Sequence, residues 1–393
     1  MTRAPHLSSR LQGFGTTIFA QMSALALETG ALNLGQGFPD TDGPSEVSEA
    51  AVAAIRGGIN QYPPVIGTPE LRNAVAEHQR RFWGLEFDPA TEVLATAGAT
   101  EALAAALMAL CETGDEVVVF DPTYDSYAAG INMAGAVIRP VLLHAPDAAH
   151  DRFWFDPDVL RRAFTARTRL ILVNTPHNPT GKVFDDDELR LIAALCVEHD
   201  VLAITDEVYE HLVFDGLQHR CLASYPGMAD RTLTVSSGGK TFSFTGWKIG
   251  WVCGPSDLVA AVRTAKQFLT FVNGAPFQPA IATGLRLPDS YFTDFVAAHQ
   301  GKRDRLAAAL TAAGFAVHPP EGTYFITADI RPLGRTDGIE FCLELPKTGG
   351  VVAIPSAVFY QDRRDGESLI RFCFAKNDAM LEQAGNQLVD ALA

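Results

Sequence analysis

Short runs rich in β-branched and other apolar residues alternate with helical patterns from about residue 93 to residue 255, and this alternation restricts the chain to few folds. The runs are EVLAT, DEVVVF, LILVN, VLAIT, TLTVSS and IGWVCG. Between them lie helical stretches such as TEALAAALMALC and DDDELRLIAALCVEH, the second with acidic residues where a helix N-terminus favours them. Strands without polar alternation are typical of sheets buried on both faces. The pattern therefore predicts an α/β fold with a mostly parallel sheet covered by helices.

The element pattern changes near residue 288, which predicts a second unit. A long helix is expected at Tyr291–Ala313, followed by short strands in TYFITAD, VVAIP and IRFCF and by a terminal helix from about Asp378. We therefore predict a large domain over residues 45–287 and a smaller α+β domain over residues 288–393. Residues 1–44 are interpreted as an N-terminal arm that packs with the small domain.

Composition argues against several functional classes. A formal net charge of -15 disfavours binding to nucleic acid or to anionic membranes, because both require clustered cations. The apolar runs are too short to span a bilayer, and the N-terminal residues lack the apolar core of a signal peptide, so we expect a cytoplasmic protein. The six cysteines show no Cys-x-x-Cys pair or other metal-ligand spacing, so the sequence predicts neither disulfides nor a metal site.

Polar side chains follow three of the predicted strands. Asp206 ends one strand with Tyr209 three residues later, a second strand leads into the loop that holds Asn178, and a third is followed by Lys240. Ligands of open α/β sheets bind beyond the carboxyl ends of the strands, so we expect these side chains to converge. Each one alone is explained by a turn, a cap or packing. Together, a carboxylate, a phenol, a carboxamide and an amine fit pyridoxal phosphate.

The chemistry of this cofactor gives each residue type a purpose. Lys240 can form a Schiff base with the aldehyde and later carry a proton, and we interpret its small neighbours as giving it room. Asp206 can keep the pyridine nitrogen protonated, while Tyr209 and Asn178 can hydrogen-bond the ring oxygen. The turn AGATEA opens a helix, where main-chain amides can hold the phosphate together with a hydroxyl and a cation. The phosphate residues predicted in this way are Gly98, Ala99, Thr100, Ser237 and Lys248.

The blocks NTPHNPTGKVF, TDEVYEHLVFDG, TVSSGGKTFSFTGWKIGWVCGP and IRFCF resemble, in order, the signature blocks of class I aminotransferases, which are fold type I pyridoxal phosphate enzymes. The resemblance runs from about Leu34 to the end of the chain. It implies the cofactor roles given above, with Lys240, Asp206 and Tyr209 as catalytic residues. It also implies a cis peptide bond between Asn178 and Pro179.

The resemblance adds residues that their types alone do not single out. It implies that Arg371 clamps the substrate α-carboxylate, with Gly37 and Asn178 beside it, and that Tyr124 stacks on the cofactor ring. It further implies that Tyr62 reaches the cofactor phosphate of a neighbouring subunit. The expected assembly is therefore a homodimer with shared active sites. Substrates are expected to be an amino acid and a 2-oxo acid, with 2-oxoglutarate as acceptor.

The resemblance is compatible with several substrates. Stretches such as ITDEVYEHLVFD and GTYFITADIRPLG resemble actinobacterial N-succinyldiaminopimelate aminotransferases, which implies N-succinyl-LL-2,6-diaminopimelate as a substrate and a place in lysine biosynthesis. Other blocks resemble glutamine, kynurenine and methionine transaminases that have cysteine-conjugate β-lyase relatives. The kynurenine-type enzymes carry an aromatic-histidine pair where this chain has Phe271-Val272, which weakens that alternative. A ligand-sensing regulatory module is disfavoured. Such proteins carry an added DNA-binding domain, and the residues before about Leu34, where the resemblance begins, are too few to form one.

Overall fold

The computed structural model describes residues 6–12, 14 and 18–392, so parts of the predicted arm (residues 1–5, 13 and 15–17) and Ala393 lie outside the described residues. The strands are β1 (Leu32–Asn33), β2 (Val93–Thr96), β3 (Glu116–Asp121), β4 (Val137–Leu142), β5 (Thr168–Asn174), β6 (Leu202–Asp206), β7 (Thr232–Ser237), β8 (Gly250–Cys253), β9 (Ala316–His318), β10 (Phe325–Asp329), β11 (Val351–Val352), β12 (Ile354–Pro355) and β13 (Leu369–Cys373).

Helices connect most of these strands. They are α1 (Ile18–Thr29), α2 (Ser45–Arg56), α3 (Pro69–Trp83), α4 (Gly98–Leu110), α5 (Asp125–Ala134), α6 (Pro157–Ala163), α7 (Asp186–Glu198), α8 (Gly238–Thr241), α9 (Ser256–Lys266), α10 (Phe277–Leu285), α11 (Asp289–Ala312), α12 (Gly338–Thr348) and α13 (Asp378–Leu392). Within the described residues, none of them combines the length and apolar character that a membrane span requires.

The large unit is built on a seven-stranded sheet in the order β2-β8-β7-β6-β5-β3-β4. All neighbouring pairs from β7 to β4 are parallel, and β8 runs antiparallel to both β7 and β2. Alternate residues of one strand face opposite cores: Val117 and Val119 pack under α4 and α5, whereas Val118 and Phe120 pack against α6 and α7. The prediction of a mostly parallel sheet covered by helices is confirmed.

Local sequence signals explain where several helices begin. Thr68 caps α3 by accepting a hydrogen bond from the Leu71 amide, and Pro69 occupies the first turn, where its missing N–H costs nothing. Asp185 and Glu188 form a reciprocal capping box at the start of α7. These caps fix the helix starts.

One strand of the large sheet, β4, was not anticipated from the sequence. It contains Arg139 and Pro140 and is partly exposed along most of its length, as expected for an edge strand, so it lacks the apolar run used to recognise the others. The predicted single strand VVAIP is divided between β11 and β12, which belong to different sheets.

The second unit packs three long helices against an antiparallel sheet in the order β12-β13-β10-β9. The predicted long helix is α11, and the terminal helix begins at Asp378 as expected. Met22 and Ala26 of α1 are buried in the same core as Phe341 of α12, and β1 pairs in parallel with β11. The described part of residues 1–44 therefore contacts this unit, while the boundaries at residues 44 and 287 remain predictions.

Candidate active site

A cavity of about 270 Å³ lies at the carboxyl ends of β5, β6 and β7. The pairing register places Asn174 beside Asp206 and Asp206 beside Val235, so these strand ends are adjacent. The predicted site residues that line the cavity are Gly37, Gly98, Ala99, Thr100, Tyr124, Asn178, Asp206, Tyr209, Ser237, Lys240, Lys248 and Arg371. Tyr62 is not among the lining residues. The strand-end rule thus located the cavity correctly.

Lys240 lies in the single-turn helix α8 directly after β7, and its side chain borders the cavity. Its Nζ donates a long hydrogen bond of 3.4 Å to the main-chain oxygen of Gly37 and lies 5.7 Å and 5.6 Å from the ring centres of Tyr209 and Tyr324. Burial lowers the pKa of Lys240 to about 8, because the ammonium loses its hydration. A neutral amine, which both a nucleophile and a proton acceptor require, is therefore accessible near neutral pH.

The glycines before Lys240 serve a different purpose from the one expected. A Cβ at Gly238 would lie 2.8 Å from Cγ2 of Ile281, and one at Gly239 would lie 3.0 Å from Cα of Thr245. The first contact is too close for a real Cβ, and the second is tighter than most real Cβ contacts. The small residues therefore let α8 pack tightly against α10 and against the segment that follows α8, instead of leaving empty space beside the lysine.

Asp206 ends β6 as a buried carboxylate with a defined orientation. Its Oδ2 accepts a hydrogen bond of 2.6 Å from the hydroxyl of Tyr127, and its Oδ1 accepts one of 3.3 Å from the Val208 amide. Burial raises the pKa of Asp206 to about 6, although these hydrogen bonds and the nearby charge of Lys240 lower it. A buried carboxylate of this kind is stabilised by a protonated partner, which a pyridinium nitrogen would provide.

Two asparagines connect Asp206 to the far side of the cavity. Nδ2 of Asn174 donates to the main-chain oxygen of Asp206 at 2.8 Å, and its Oδ1 accepts from the amide of Asn178 at 2.7 Å. Oδ1 of Asn178 in turn accepts from the Arg371 guanidinium at 2.8 Å. The Asn178–Pro179 peptide bond is cis, as the resemblance implied. The loop after β5 is thereby held in one conformation at the cavity wall.

Arg371 is a buried cation with no counter-charge in contact with it among the residues that the structure describes. It comes from β13, is 1% exposed, and donates to two uncharged oxygens, Oδ1 of Asn178 and the carbonyl of Gly35. Within the described residues its Nε has no hydrogen-bond partner. Burial lowers the pKa of Arg371 to about 10. Such a guanidinium is costly to bury and would gain strongly from a carboxylate ligand.

Aromatic rings form much of the remaining wall. The guanidinium of Arg371 lies 4.0 Å from the ring centre of Phe325. Tyr209 packs edge-on against Tyr324 at 5.1 Å, and the Tyr324 hydroxyl donates to the Gly37 carbonyl at 2.7 Å. Burial raises the pKa of Tyr209 well above its ordinary range, so its hydroxyl stays protonated and can donate a hydrogen bond. Tyr124 caps α5, and burial raises its pKa to about 12.

One corner of the cavity, which we call the phosphate corner, lies at the opening turn of α4. Gly98 has a positive φ of 73° there, and a Cβ on it would lie 3.2 Å from Nζ of Lys248. The main chain of Gly250 approaches Gly98 so closely that a Cβ at residue 250 would lie 2.6 Å from the Gly98 carbonyl carbon. Main-chain amides at a helix N-terminus, a nearby ammonium and the Ser237 hydroxyl make a suitable site for a phosphate dianion.

Tyr62 lies apart from the cavity of its own chain. Its side chain is 81% exposed and packs edge-on against Phe271 at 5.5 Å between ring centres. Phe271 has a positive φ of 63°, and Phe268 is 82% exposed on the same segment. The two segments therefore present an exposed aromatic surface, and the action of Tyr62 on another subunit stays a prediction.

Comparison with known proteins identifies the family. The family model for aminotransferases of class I and II matches residues 29–388. The chain belongs to this family. It is 52% identical over 388 residues to the "Probable N-succinyldiaminopimelate aminotransferase DapC" of Mycobacterium tuberculosis, covering 97% of each chain. It is 40% identical over 389 residues to the methionine aminotransferase of Escherichia coli, covering 99% of each.

A solved structure shows the same fold. The N-succinyldiaminopimelate aminotransferase of Mycobacterium tuberculosis superposes with a TM-score of 0.95 at 52% identity, covering 98% of this chain and 100% of that one. The protein is thus a pyridoxal phosphate-dependent aminotransferase with the fold of the type I enzymes. Its cavity fits that cofactor: an amine, an oriented buried carboxylate and a phosphate corner all border one space. The individual residue roles remain proposals.

Three further residues contribute to the site of this aminotransferase. Tyr127 orients Asp206, Asn174 holds the loop of Asn178, and Tyr324 joins Lys240 in contacting Gly37. Asn174 is the last residue of β5, so the strand-end rule could have identified it, although only Asn178 was predicted there. Tyr127 follows Tyr124 by three residues in DPTYDSY and lies in the first turn of α5. The strand-end rule does not find it, because it is not at the end of a strand. Tyr324 carries no such signal, because it comes from the second unit.

Proposed function

We propose that this aminotransferase transfers the amino group of N-succinyl-LL-2,6-diaminopimelate to 2-oxoglutarate in two half-reactions at the cavity beside Lys240. The observation that carries the proposal is the buried Arg371, whose hydrogen bonds to the described residues go to uncharged oxygens. A substrate α-carboxylate would supply the missing negative charge. Its position opposite Lys240 in the same cavity would place the α-carbon of the substrate near the lysine amine.

The residues divide the work between binding and proton transfer. Arg371 and Asn178 orient the α-carboxylate, and the Tyr209 hydroxyl donates a hydrogen bond to the cofactor oxygen. When bound, pyridoxal phosphate supplies an electron sink for the negative charge that develops at the substrate α-carbon. Asp206, oriented by Tyr127, would pair with the ring nitrogen and favour its protonated form. Nζ of Lys240 removes the proton from the α-carbon, for which its lowered pKa suits it.

The choice of substrate rests on the relatives. The curated and the solved Mycobacterium tuberculosis proteins are each 52% identical to this chain, well above the 40% of the methionine aminotransferase. The basic side chains that line the cavity within the described residues are Lys240, Lys248 and Arg371. We assign the first two to the cofactor and the third to the α-carboxylate. A distal carboxylate of either substrate must therefore be bound by neutral donors or by a second subunit.

A single-turnover experiment tests this proposal. The cofactor-loaded protein is mixed with N-succinyl-LL-2,6-diaminopimelate without an acceptor, and the 2-oxo acid is quantified by mass spectrometry. One equivalent of oxo acid per active site is expected, and added 2-oxoglutarate should then be converted to glutamate. Glutamine, kynurenine and methionine are run in parallel. A faster half-reaction with one of these would overturn the substrate assignment while leaving the transaminase chemistry intact.

Cysteine-conjugate β-lyase activity is the competing outcome. A lyase releases pyruvate and ammonia from a cysteine conjugate without an acceptor and continues through many turnovers, whereas a half-transamination stops after one. The residues that bind the cofactor are the same in both reactions. The number of turnovers in the absence of acceptor therefore distinguishes the two activities.

We further propose that the protein acts as a homodimer. The exposed aromatic surface formed by Tyr62, Phe268 and Phe271 supports this, since large apolar side chains gathered on a surface are typical of interfaces. The single-chain cavity does not include Tyr62. A second subunit would bring it to the phosphate corner of the first.

A further inference from the structure

A second group of chemically active side chains lies buried directly behind Asp206. Glu207 continues from the end of β6, and its carboxylate meets His219 and Cys221, which come from the loop that precedes residue 222. The exposed fractions of these residues are 0% for Glu207, 7% for His219 and 3% for Cys221. None of the three lines the cavity that contains Lys240.

The three donor atoms converge on one point. Oε2 of Glu207 lies 2.8 Å from Nε2 of His219 and 3.0 Å from Sγ of Cys221, and the last two atoms are 3.6 Å apart. Three donors around a tetrahedral Zn²⁺, at bond lengths of about 2.0–2.3 Å, are separated by roughly 3.2–3.7 Å. Movements of a few tenths of an ångström at the carboxylate would therefore suffice to admit the ion.

The hydrogen bonds of the group are unevenly distributed. The imidazole and the thiol both contact Oε2 of Glu207, whereas Oε1 of Glu207 and Nδ1 of His219 are buried and have no partner within the described residues. Buried polar atoms are normally paired, so this arrangement requires an explanation. A cation at the centre would bind Oε2, Nε2 and Sγ in place of the hydrogen bonds that now converge on Oε2, and a metal-bound water could donate to Oε1, whereas Nδ1 of His219 would stay without a partner among the residues described.

Charge also suits a divalent cation. A carboxylate and a thiolate supply two negative charges, which one divalent ion neutralises, and the imidazole binds as a neutral ligand. His219 and Cys221 border a separate cavity of about 310 Å³, from which an ion could approach only with a displacement of the His219 side chain, since that side chain is 1% exposed. Arg190 and Arg220 on its wall face Asp186, whose carboxylate accepts from Arg190 at 2.7 Å and lies 3.9 Å from Arg220.

We propose that Glu207, His219 and Cys221 form a binding site for a zinc-type divalent cation that ties the loop of residues 215–221 to β6. On binding, the thiol proton of Cys221 passes to solvent, and the imidazole carries its proton on Nδ1. The neighbouring Glu210 is not a ligand, because its carboxylate accepts from Trp83 at 2.5 Å and from Ser236 at 2.7 Å. No cysteine spacing indicates this site, since its ligands are a strand end and two loop residues.

Cobalt substitution tests the site in the cofactor-loaded protein. Co²⁺ is added to chelator-treated protein, and the visible d–d bands of tetrahedral cobalt are recorded at wavelengths longer than those of the cofactor. The bands are expected in the wild-type protein and in Cys196→Ser, a buried cysteine elsewhere, but not in Cys221→Ser. Zinc competition should give an affinity at least about 100-fold lower for Cys221→Ser than for the control.

Thermal unfolding and far-ultraviolet spectra test whether a variant fails to bind metal only because it is misfolded. Without metal, Cys221→Ser and Cys196→Ser should retain the wild-type far-ultraviolet spectrum, and Zn²⁺ should raise the Tm of wild type and Cys196→Ser only. Glu207→Gln provides a second ligand variant with the same expected loss. Failure of wild-type protein to develop the cobalt bands would overturn the proposal. So would equal zinc affinity in Cys221→Ser and Cys196→Ser, which would place the ion elsewhere.

Discussion

Lys240 is half-buried at the edge of the cavity that fits the cofactor, so its removal tests a catalytic role directly. We predict that Lys240→Ala reduces kcat by at least about 1000-fold, because general-base catalysis alone contributes 10²–10⁴-fold. The Tm should not fall, since the buried ammonium loses hydration in the folded state. Steady-state assays and thermal unfolding measure the two effects. Lys347→Ala, at an exposed lysine, is the control, and turnover by Lys240→Ala without added amine would contradict the assigned role.

The lowered pKa of Lys240 predicts a pH dependence for cofactor capture by the cofactor-free protein. Only the neutral amine attacks an aldehyde, and a pKa of about 8 means that the neutral fraction rises with pH and levels off above pH 8. An ordinary lysine would continue to gain about tenfold per pH unit up to its pKa near 10.4. Stopped-flow absorbance after mixing with pyridoxal phosphate gives the rate. A rate that still rises steeply between pH 9 and pH 10 would contradict the assignment.

Arg371 should distinguish substrates by their carboxylate. We predict that Arg371→Met lowers kcat/KM for an amino acid by about 100-fold, because losing one partner of a buried charged pair costs about 3 kcal/mol. The corresponding amine without the α-carboxylate should be used no worse by the variant than by the wild type. The measurement is the ratio of kcat/KM for the amino acid to kcat/KM for the amine. Arg335→Met, at a partly exposed arginine, is the control. Equal losses for both substrates would show that Arg371 supports the fold and does not bind the carboxylate.

At the scale of single elements, the backbone conformation of the first turn of α4 should determine how tightly the cofactor phosphate binds. Gly98→Ala would strain a residue with φ of 73° and press a methyl group against Nζ of Lys248. We predict about tenfold weaker pyridoxal phosphate binding, because a displaced charge-assisted hydrogen bond costs about 1.5–3 kcal/mol. Gly84→Ala is the matched control, since Gly84 has φ of 68° with open space around it. Equilibrium titration should show weaker binding in the first variant only.

Elements differ in how far their sequences reveal them. The buried strands were recognisable because both faces are apolar, and α7 because its acidic cap precedes an amphipathic pattern. The edge strand β4 was missed because solvent exposure allows Arg139 and Pro140 within it. Its existence depends on pairing with β3, a tertiary contact that no local pattern encodes.

The site residues, too, divide into those that local sequence reveals and those that depend on tertiary contacts. Residues at strand ends could be predicted because parallel strands bring their carboxyl ends together, which places Asp206 beside Asn174. Arg371 and Gly37 were placed only by resemblance to a family, since nothing local brings β13 to the large sheet. Tyr324, which touches the same carbonyl as Lys240, was not predicted at all. Sequence reasoning therefore found the strand-end residues of the large unit, but it missed Tyr127 in that unit and Tyr324 in the other.

At the scale of the whole molecule, the exposed aromatic surface predicts a specific dimer. Phe268→Glu should convert the dimer to monomers in analytical ultracentrifugation, because a charge replaces an 82% exposed ring that an interface would bury. Leu217→Glu, at a 46% exposed leucine on the loop of residues 215–221, is the control and should remain dimeric. A wild-type protein that sediments as a monomer would contradict the proposed assembly.

If active sites are shared, two different inactive variants should complement each other when they form a mixed dimer. Tyr62→Ala should impair the neighbouring subunit's site, whereas Lys240→Ala should disable its own. In a mixed dimer, one site has an intact Lys240 and receives an intact Tyr62, so equal mixtures should recover about a quarter of wild-type activity after subunit exchange. Unmixed variants handled identically measure the baseline. If mixing recovers nothing although mass spectrometry detects the mixed dimer, Tyr62 acts within its own chain and the sites are not shared.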